Sequence, residues 1–140
     1  MAEATQFTVP LDNKVGTLAR LCGALKRSKV NIEAIALLMD GECGYVRFVG
    51  TPVSAAKAAL HKGGYVYHTQ QVLRLELPHR SGALRGVATR LAKAGININY
   101  VYGSTPQGST ASTLLLSVSD LEKARQLFED YERNSTEQED

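Results

Sequence analysis

The sequence predicts an α+β fold: two tandem βαββαβ units in one chain, each an antiparallel sheet with its helices on one face. Three observations lead there. The chain repeats itself, hydrophobic residues switch between alternating and helical spacing in the same order in both copies, and turn residues fall between the runs. A shift of 66 lays Val9–Ile35 over Leu75–Val101 without a gap. Leu11, Gly16, Leu18, Leu25, Asn31 and Ile32 then fall on Leu77, Gly82, Leu84, Leu91, Asn97 and Ile98. After two inserted residues near 106–109, Val46, Phe48, Val53, Ala56 and Leu60 meet Leu114, Leu116, Leu121, Ala124 and Phe128. A repeat of this kind marks one supersecondary unit built twice.

Each element has a local reason. Gln6–Pro10 and Val72–Leu77 are short β-prone runs. Leu18, Leu21, Cys22 and Leu25 stand at i, i+3, i+4 and i+7, the stripe of an amphipathic helix. Leu84, Val87, Ala88 and Leu91 repeat it. Val30–Leu38 and Ile96–Tyr102 follow as apolar strands; Gly95 ends the helix before the second, and Lys29 holds that place in the first. Asp40-Gly41 supplies a hairpin turn, where the second copy has the longer 105–109. Third strands are expected at Gly44–Val49 and Ala111–Val118. Second helices are expected at Ser54–Lys62, stopped by Gly63-Gly64, and from Asp120 to about Arg133. Tyr65–Gln71 reads as a fourth strand; the second copy shows none. The expected division is 1–71 for the first unit, 72–133 for the second, and a polar, disordered tail at 134–140.

Bulk properties narrow the function. Hydrophobic residues make up 44% and charged residues 21%, which fits a globular chain. A net charge of +2 is a poor footprint for a polyanion partner. No apolar run reaches the length of a membrane span, and Met1–Gln6 lacks the charged and apolar regions of a secretory signal. A cytoplasmic location is expected, without membrane or nucleic-acid partners. Two cysteines, Cys22 and Cys43, are too few for a disulfide framework or a zinc knuckle. His61 and His68 have no carboxylates at ligand spacing, so neither metal nor cofactor is expected. No nucleophile elbow, phosphate loop, zincin helix or dinucleotide fingerprint occurs, and no acidic pair stands out, so no enzymatic activity is expected.

The first loop reads Asp12-Asn13-Lys14-Val15-Gly16-Thr17-Leu18, with Val30-Asn31-Ile32 following. The second reads Pro78-His79-Arg80-Ser81-Gly82-Ala83-Leu84, followed by Gly95-Ile96-Asn97-Ile98. This resembles the ACT domain, with its polar loop, Pro-Gly-x-Leu, a helix, and Gly-(Val/Ile)-Asn-Ile opening the second strand. The usual proline is Val15 in one copy and Ser81 in the other. The resemblance covers about residues 5–130. It implies tandem ferredoxin-like units and a regulatory role: an amino-acid ligand bound where two domains meet, and an enzyme of amino-acid metabolism as the regulated partner.

The residues support a ligand site on their own chemistry. A helix N-terminus presents unpaired N–H groups and a positive dipole end. Glycine allows close approach to the backbone, and Lys14 or Arg80 adds charge, a combination suited to a carboxylate. Asn31 and Asn97 can donate and accept. The candidate ligand-binding residues are therefore Asn13, Lys14, Val15, Gly16, Asn31 and Ile32, with His79, Arg80, Ser81, Gly82, Asn97 and Ile98. Asp12 reads as a solvated loop carboxylate. The glycines also fit a purely structural role in tight packing, which leaves open a protein-interaction module with empty pockets. A third reading, an RNA-binding βαββαβ protein, draws on Gly44-Tyr45-Val46-Arg47-Phe48 but lacks the start of that signature. The second strands, Asn31–Leu38 and Asn97–Tyr102, are apolar with few charges and are expected to join the two copies edge to edge. Each ligand would then lie between the loop of one copy and the second strand of the other, and the remaining face would meet a second chain in a homodimer.

Overall fold

The computed structural model describes residues 3–129. The elements run β1 (Glu3–Asp12), α1 (Thr17–Arg27), β2 (Asn31–Asp40), β3 (Cys43–Thr51), α2 (Val53–Lys62), β4 (His68–Pro78), α3 (Ala83–Lys93), β5 (Ile98–Ser104) and β6 (Ala111–Val118). A last helix, α4, covers 121–129. The expected end of that helix near Arg133 and the tail 134–140 lie outside the described residues. The described chain forms two compact units. One is Thr5–Gln70; the other runs from Gln71 onward and includes Glu3 and Ala4. Both are ferredoxin-like, with antiparallel sheets.

In the first unit β3 lies between β1 and β2 and is antiparallel to both. Alternation along β1 sends Phe7, Val9 and Leu11 to one face, where Val46 and Phe48 of β3 join them. Leu21 and Leu25 of α1, with Ala56, Ala59 and Leu60 of α2, cover that same face. Phe7 and Phe48 stack with ring centres 5.1 Å apart. The helices thus lie on one side, because only one side of the sheet offers them an apolar surface. The second unit repeats this: Leu73, Leu75 and Leu77 of β4 and Leu116 of β6 pack beneath Val87 and Leu91 of α3 and Ala124 and Phe128 of α4.

Both copies close their first helix in the same way. Val30 N–H donates to the Leu25 carbonyl and Lys29 N–H to Lys26; Ile96 N–H donates to Leu91 and Gly95 N–H to Ala92. This is the Schellman closure, which needs a left-handed residue. Gly95 takes φ 72° at no steric cost, whereas Lys29 is held at φ 56°. Each second strand also carries an irregularity at the same repeat position, at Glu33 between Ile32 and Ala34 and at Asn99 between Ile98 and Tyr100. An extra residue of this kind re-aims side chains and bends the strand.

Two sequence expectations change. The strand read at Tyr65–Gln71 starts only at His68 and runs on into the one read at Val72–Leu77 as a single strand, β4; no turn residue separates Gln71 from Val72, so nothing interrupts the extended backbone there. The second copy has no fourth strand of its own among the described residues. Glu3 and Ala4, which open β1, belong to its unit instead, and Glu3 Oε1 lies 3.4 Å from Arg125 Nε of α4. In each unit the second strand is bonded to the third, β2 to β3 and β5 to β6. Apolar alternation makes an edge capable of pairing without naming its partner.

Candidate ligand-binding loops

The loop between β1 and α1 is built by short-range hydrogen bonds. Lys14 N–H donates to the Asp12 carbonyl, Thr17 N–H to Lys14, and Arg20 N–H to Gly16. In the second copy Arg80 donates to Pro78, Ala83 to Arg80, and Gly86 to Gly82. Each loop is tied to the neighbouring hairpin, Asn13 N–H to Glu42 at 2.8 Å and His79 N–H to Thr110 at 2.9 Å. Two sequences that share few loop residues therefore fold into the same turn.

The common requirement is glycine at the helix cap. Gly16 has φ 88° and Gly82 φ 89°, a left-handed conformation that a side chain resists. A Cβ added at either would meet nothing within 4 Å. Tight packing therefore does not explain these glycines. Backbone conformation does, and space stands open beside each. Neither helix has a side-chain cap or an acidic residue in its first turn. The positive ends of α1 and α3 are left without a fixed countercharge from their own first turns. Lys14 and Arg80 are exposed beside them. Thr17 donates its hydroxyl to the Asp12 and Lys14 carbonyls, at 3.0 and 3.2 Å, which braces the first loop.

The candidate residues divide into two places in each unit. Asn13, Lys14, Val15 and Gly16 stand together at the end where β1 finishes; Asp12 is in register with Cys43, which also pairs with Asp40 at the end of β2. Asn31 and Ile32 open β2 at the opposite end, where Asn31 pairs with Thr51. Ten strand residues separate these ends, about 30 Å. The second unit is laid out likewise. His79, Arg80, Ser81 and Gly82 lie by the β5–β6 hairpin, while Asn97 exchanges hydrogen bonds with Ser119, through the Ser119 Oγ and backbone, before Ile98 starts β5. No single copy gathers its loop and the opening of its second strand into one site.

Individual roles differ. The Asn13 side chain donates from Nδ2 to the Gly41 carbonyl at 2.8 Å, so its amide is used to hold the hairpin. Val15 is fully exposed at 107% of its reference area, an apolar side chain standing in solvent at the loop tip. At the strand openings Asn97 donates to Asn99 Oδ1, and Asn99 donates to the Ser117 hydroxyl. In the first copy Glu33 stands at the position of Asn99 and accepts from the Thr51 hydroxyl at 3.2 Å. The two copies thus differ by a charge at matching irregularities. Tyr100 and Tyr102 stack at 6.5 Å, with Tyr102 across from buried Leu115. Both cysteines are free, Cys43 exposed and Cys22 partly buried. Among the described residues no three His, Cys, Asp or Glu side chains gather as a metal site would require, and no helix is long and apolar enough to cross a membrane.

Comparison with known proteins agrees with this architecture. The family described as "ACT domain pair" matches residues 2–137. A solved protein from Bacteroides thetaiotaomicron superposes with a TM-score of 0.87 at 21% identity, over 94% of this chain and 90% of that one. The ligand-free regulatory subunit of aspartate kinase from Thermus thermophilus superposes with a TM-score of 0.65 at 12% identity, over 93% of each chain. The corresponding subunit from Thermus flavus gives 0.58 at 14% identity, over 91% of this chain and 94% of that one. No curated protein sequence matches the chain.

Proposed function

Since the chain belongs to the ACT domain pair family, we propose that it is a non-catalytic regulatory protein whose glycine loops bind an amino acid. One observation carries this reading. The chain builds the same uncapped, basic-flanked helix N-terminus twice, around glycines at φ 88° and 89°, with open space beside both. A carboxylate is the group such a terminus favours. The ammonium group needs an acceptor, and the second-strand openings offer Asn31 with Glu33 in one copy and Asn97 with Asn99 in the other.

Because loop and strand opening lie at opposite ends of a unit, a complete site needs two units. Among the described residues β2 is bonded along one edge to β3 and β5 along one edge to β6, and β2 exposes Ile32, Ile35, Leu37 and Leu38. A second copy of the chain, pairing antiparallel along such a strand, brings the strand opening of one protomer toward the loop of the other. A ligand touching both sides then favours the joined arrangement, which converts binding into an assembly change without chemistry. An enzyme of amino-acid metabolism is the partner such a change would regulate. Solved regulatory subunits of aspartate kinase share the fold.

A thermal-shift screen against the proteinogenic amino acids tests this reading. A ligand at about 100 times its dissociation constant adds about 2.7 kcal/mol of stability. The shift should shrink in Gly16→Val or Gly82→Val, whichever loop holds that ligand. If no amino acid stabilises the parent chain, or both folded variants respond like the parent, the loops are not the site and the protein-interaction reading takes their place.

A further inference from the structure

We propose that the second unit holds a pocket between its two helices for a small dianion, a dicarboxylate or a phosphate monoester with a short carbon chain. The pocket is a cavity of about 220 Å³ walled by the first two turns of α3 and the last turn of α4. Arg85, Gly86, Thr89 and Arg90 line it from α3, and buried Val87 and Phe128 give it an apolar side. Its volume lies below the about 300–1,000 Å³ of sites for drug-sized ligands, and suits a metabolite of a few carbons. It uses neither a glycine loop, nor a second strand, nor a second copy.

Three observations support it. The first is charge. Two arginines line one cavity, no acidic side chain does, and α3 contains no Asp or Glu at all. Among the described residues the exposed Arg85 side chain makes no ion pair or hydrogen bond, and the Thr89 hydroxyl makes no hydrogen bond. Guanidinium donors match carboxylate and phosphate oxygens two at a time. An ammonium group would find no countercharge here, which separates this ligand from an amino acid. The second is Gly86. It lies inside α3, where glycine weakens a helix relative to alanine. Its φ is not left-handed, and a Cβ there would meet nothing within 4 Å. Neither backbone conformation nor packing calls for glycine, and the missing side chain keeps the cavity open between Arg85 and Arg90. The third is the repeat. The first copy builds the same helix with Ala19, Gly23 and Ala24 where the second has Arg85, Thr89 and Arg90, and with Arg20 where the second has Gly86. The fold requires none of these groups, so the polar lining and the open notch are additions made in one copy alone.

The test is a set of ¹H–¹⁵N titrations of the full chain with succinate, glycerol 3-phosphate and, as a zwitterion without net charge, alanine. At least one dianion should move the amides of Arg85, Gly86, Thr89, Arg90 and Phe128 together, and alanine should not. Which of the two binds more tightly tells a dicarboxylate site from a phosphate site. Affinity should fall about tenfold or more in Arg85→Ala and in Arg90→Ala, as loss of a hydrogen bond to a charged group implies. Gly86→Leu should fill the notch and abolish binding while raising the thermal midpoint, because leucine favours a helix over glycine; a collapse of the fold would lower that midpoint instead. No dianion that moves these amides, or equal affinity in all three variants, overturns the pocket. Shifts confined to the Gly16 and Gly82 loops overturn it too, and leave the regulatory reading standing.

Discussion

Lys29 is the position where backbone and side chain disagree most plainly, and exchanging it with its repeat partner is a direct test. Lys29 at φ 56° and Gly95 at φ 72° occupy the same helix closure in the two copies. Holding a side-chain residue in the left-handed region costs about 1–2 kcal/mol. Glycine gives back about 0.5–1 kcal/mol of that through the greater freedom of its unfolded chain. Lys29→Gly should therefore stabilise the first unit by about 0.5–1 kcal/mol. The reciprocal Gly95→Lys should destabilise the second by a similar amount, and by strain alone, since a Cβ there meets nothing within 4 Å. One complication is charge. Lys29 follows Lys26 and Arg27 at the carbonyl end of α1, where a cation is worth about 0.3–1 kcal/mol. Lys29→Ala removes that charge and keeps the strain, so it should be neutral to destabilising and isolates the backbone contribution. Urea denaturation followed by circular dichroism reads all three as midpoint shifts at constant slope. A lower midpoint for Lys29→Gly than for Lys29→Ala would refute the argument.

Other outcomes follow from the same structure. A chain starting at Thr5 should lose protection in the second unit, seen as faster amide exchange over 71–78, while β2 and β3 exchange as before; equal loss in both units would mean that Glu3 and Ala4 have no special tie to the second. Ser119→Ala removes the acceptor of the Asn97 N–H at 2.9 Å and should cost about 0.5–1 kcal/mol, the low end for a hydrogen bond whose donor can still reach water; thermal denaturation measures it. Ile35→Lys puts a charge on the exposed β2 edge and should weaken self-association in sedimentation velocity, since charges on edge strands oppose pairing. An unchanged distribution would point to another surface or to a monomer.

Much of this molecule was legible in the residues because the signals are local. Leu18, Leu21 and Leu25 mark one helical face whatever they pack against, and the 66-residue shift exposes the second copy with the same spacing. Gly16 and Gly82 stand at matching positions of the repeat, and the structure gives both a left-handed backbone with open space beside it. Partners are different. Backbone hydrogen bonds are the same for every residue type, so Asn31–Leu38 announces a strand with a pairing edge without naming its neighbour. That is why β2 pairs with β3, why Glu3 and Ala4 belong to the second unit, and why the loop and the opening of the second strand of one copy fall about 30 Å apart. Nor could spacing bring Arg85, Gly86 and Phe128 to one cavity, since they come from two different helices. The sequence by itself determined the repeat, the elements and the chemistry of the loops, all properties of neighbours along the chain. Only the tertiary structure decided which edges stay open and which distant side chains share a wall, because those depend on how the strands are ordered around the core.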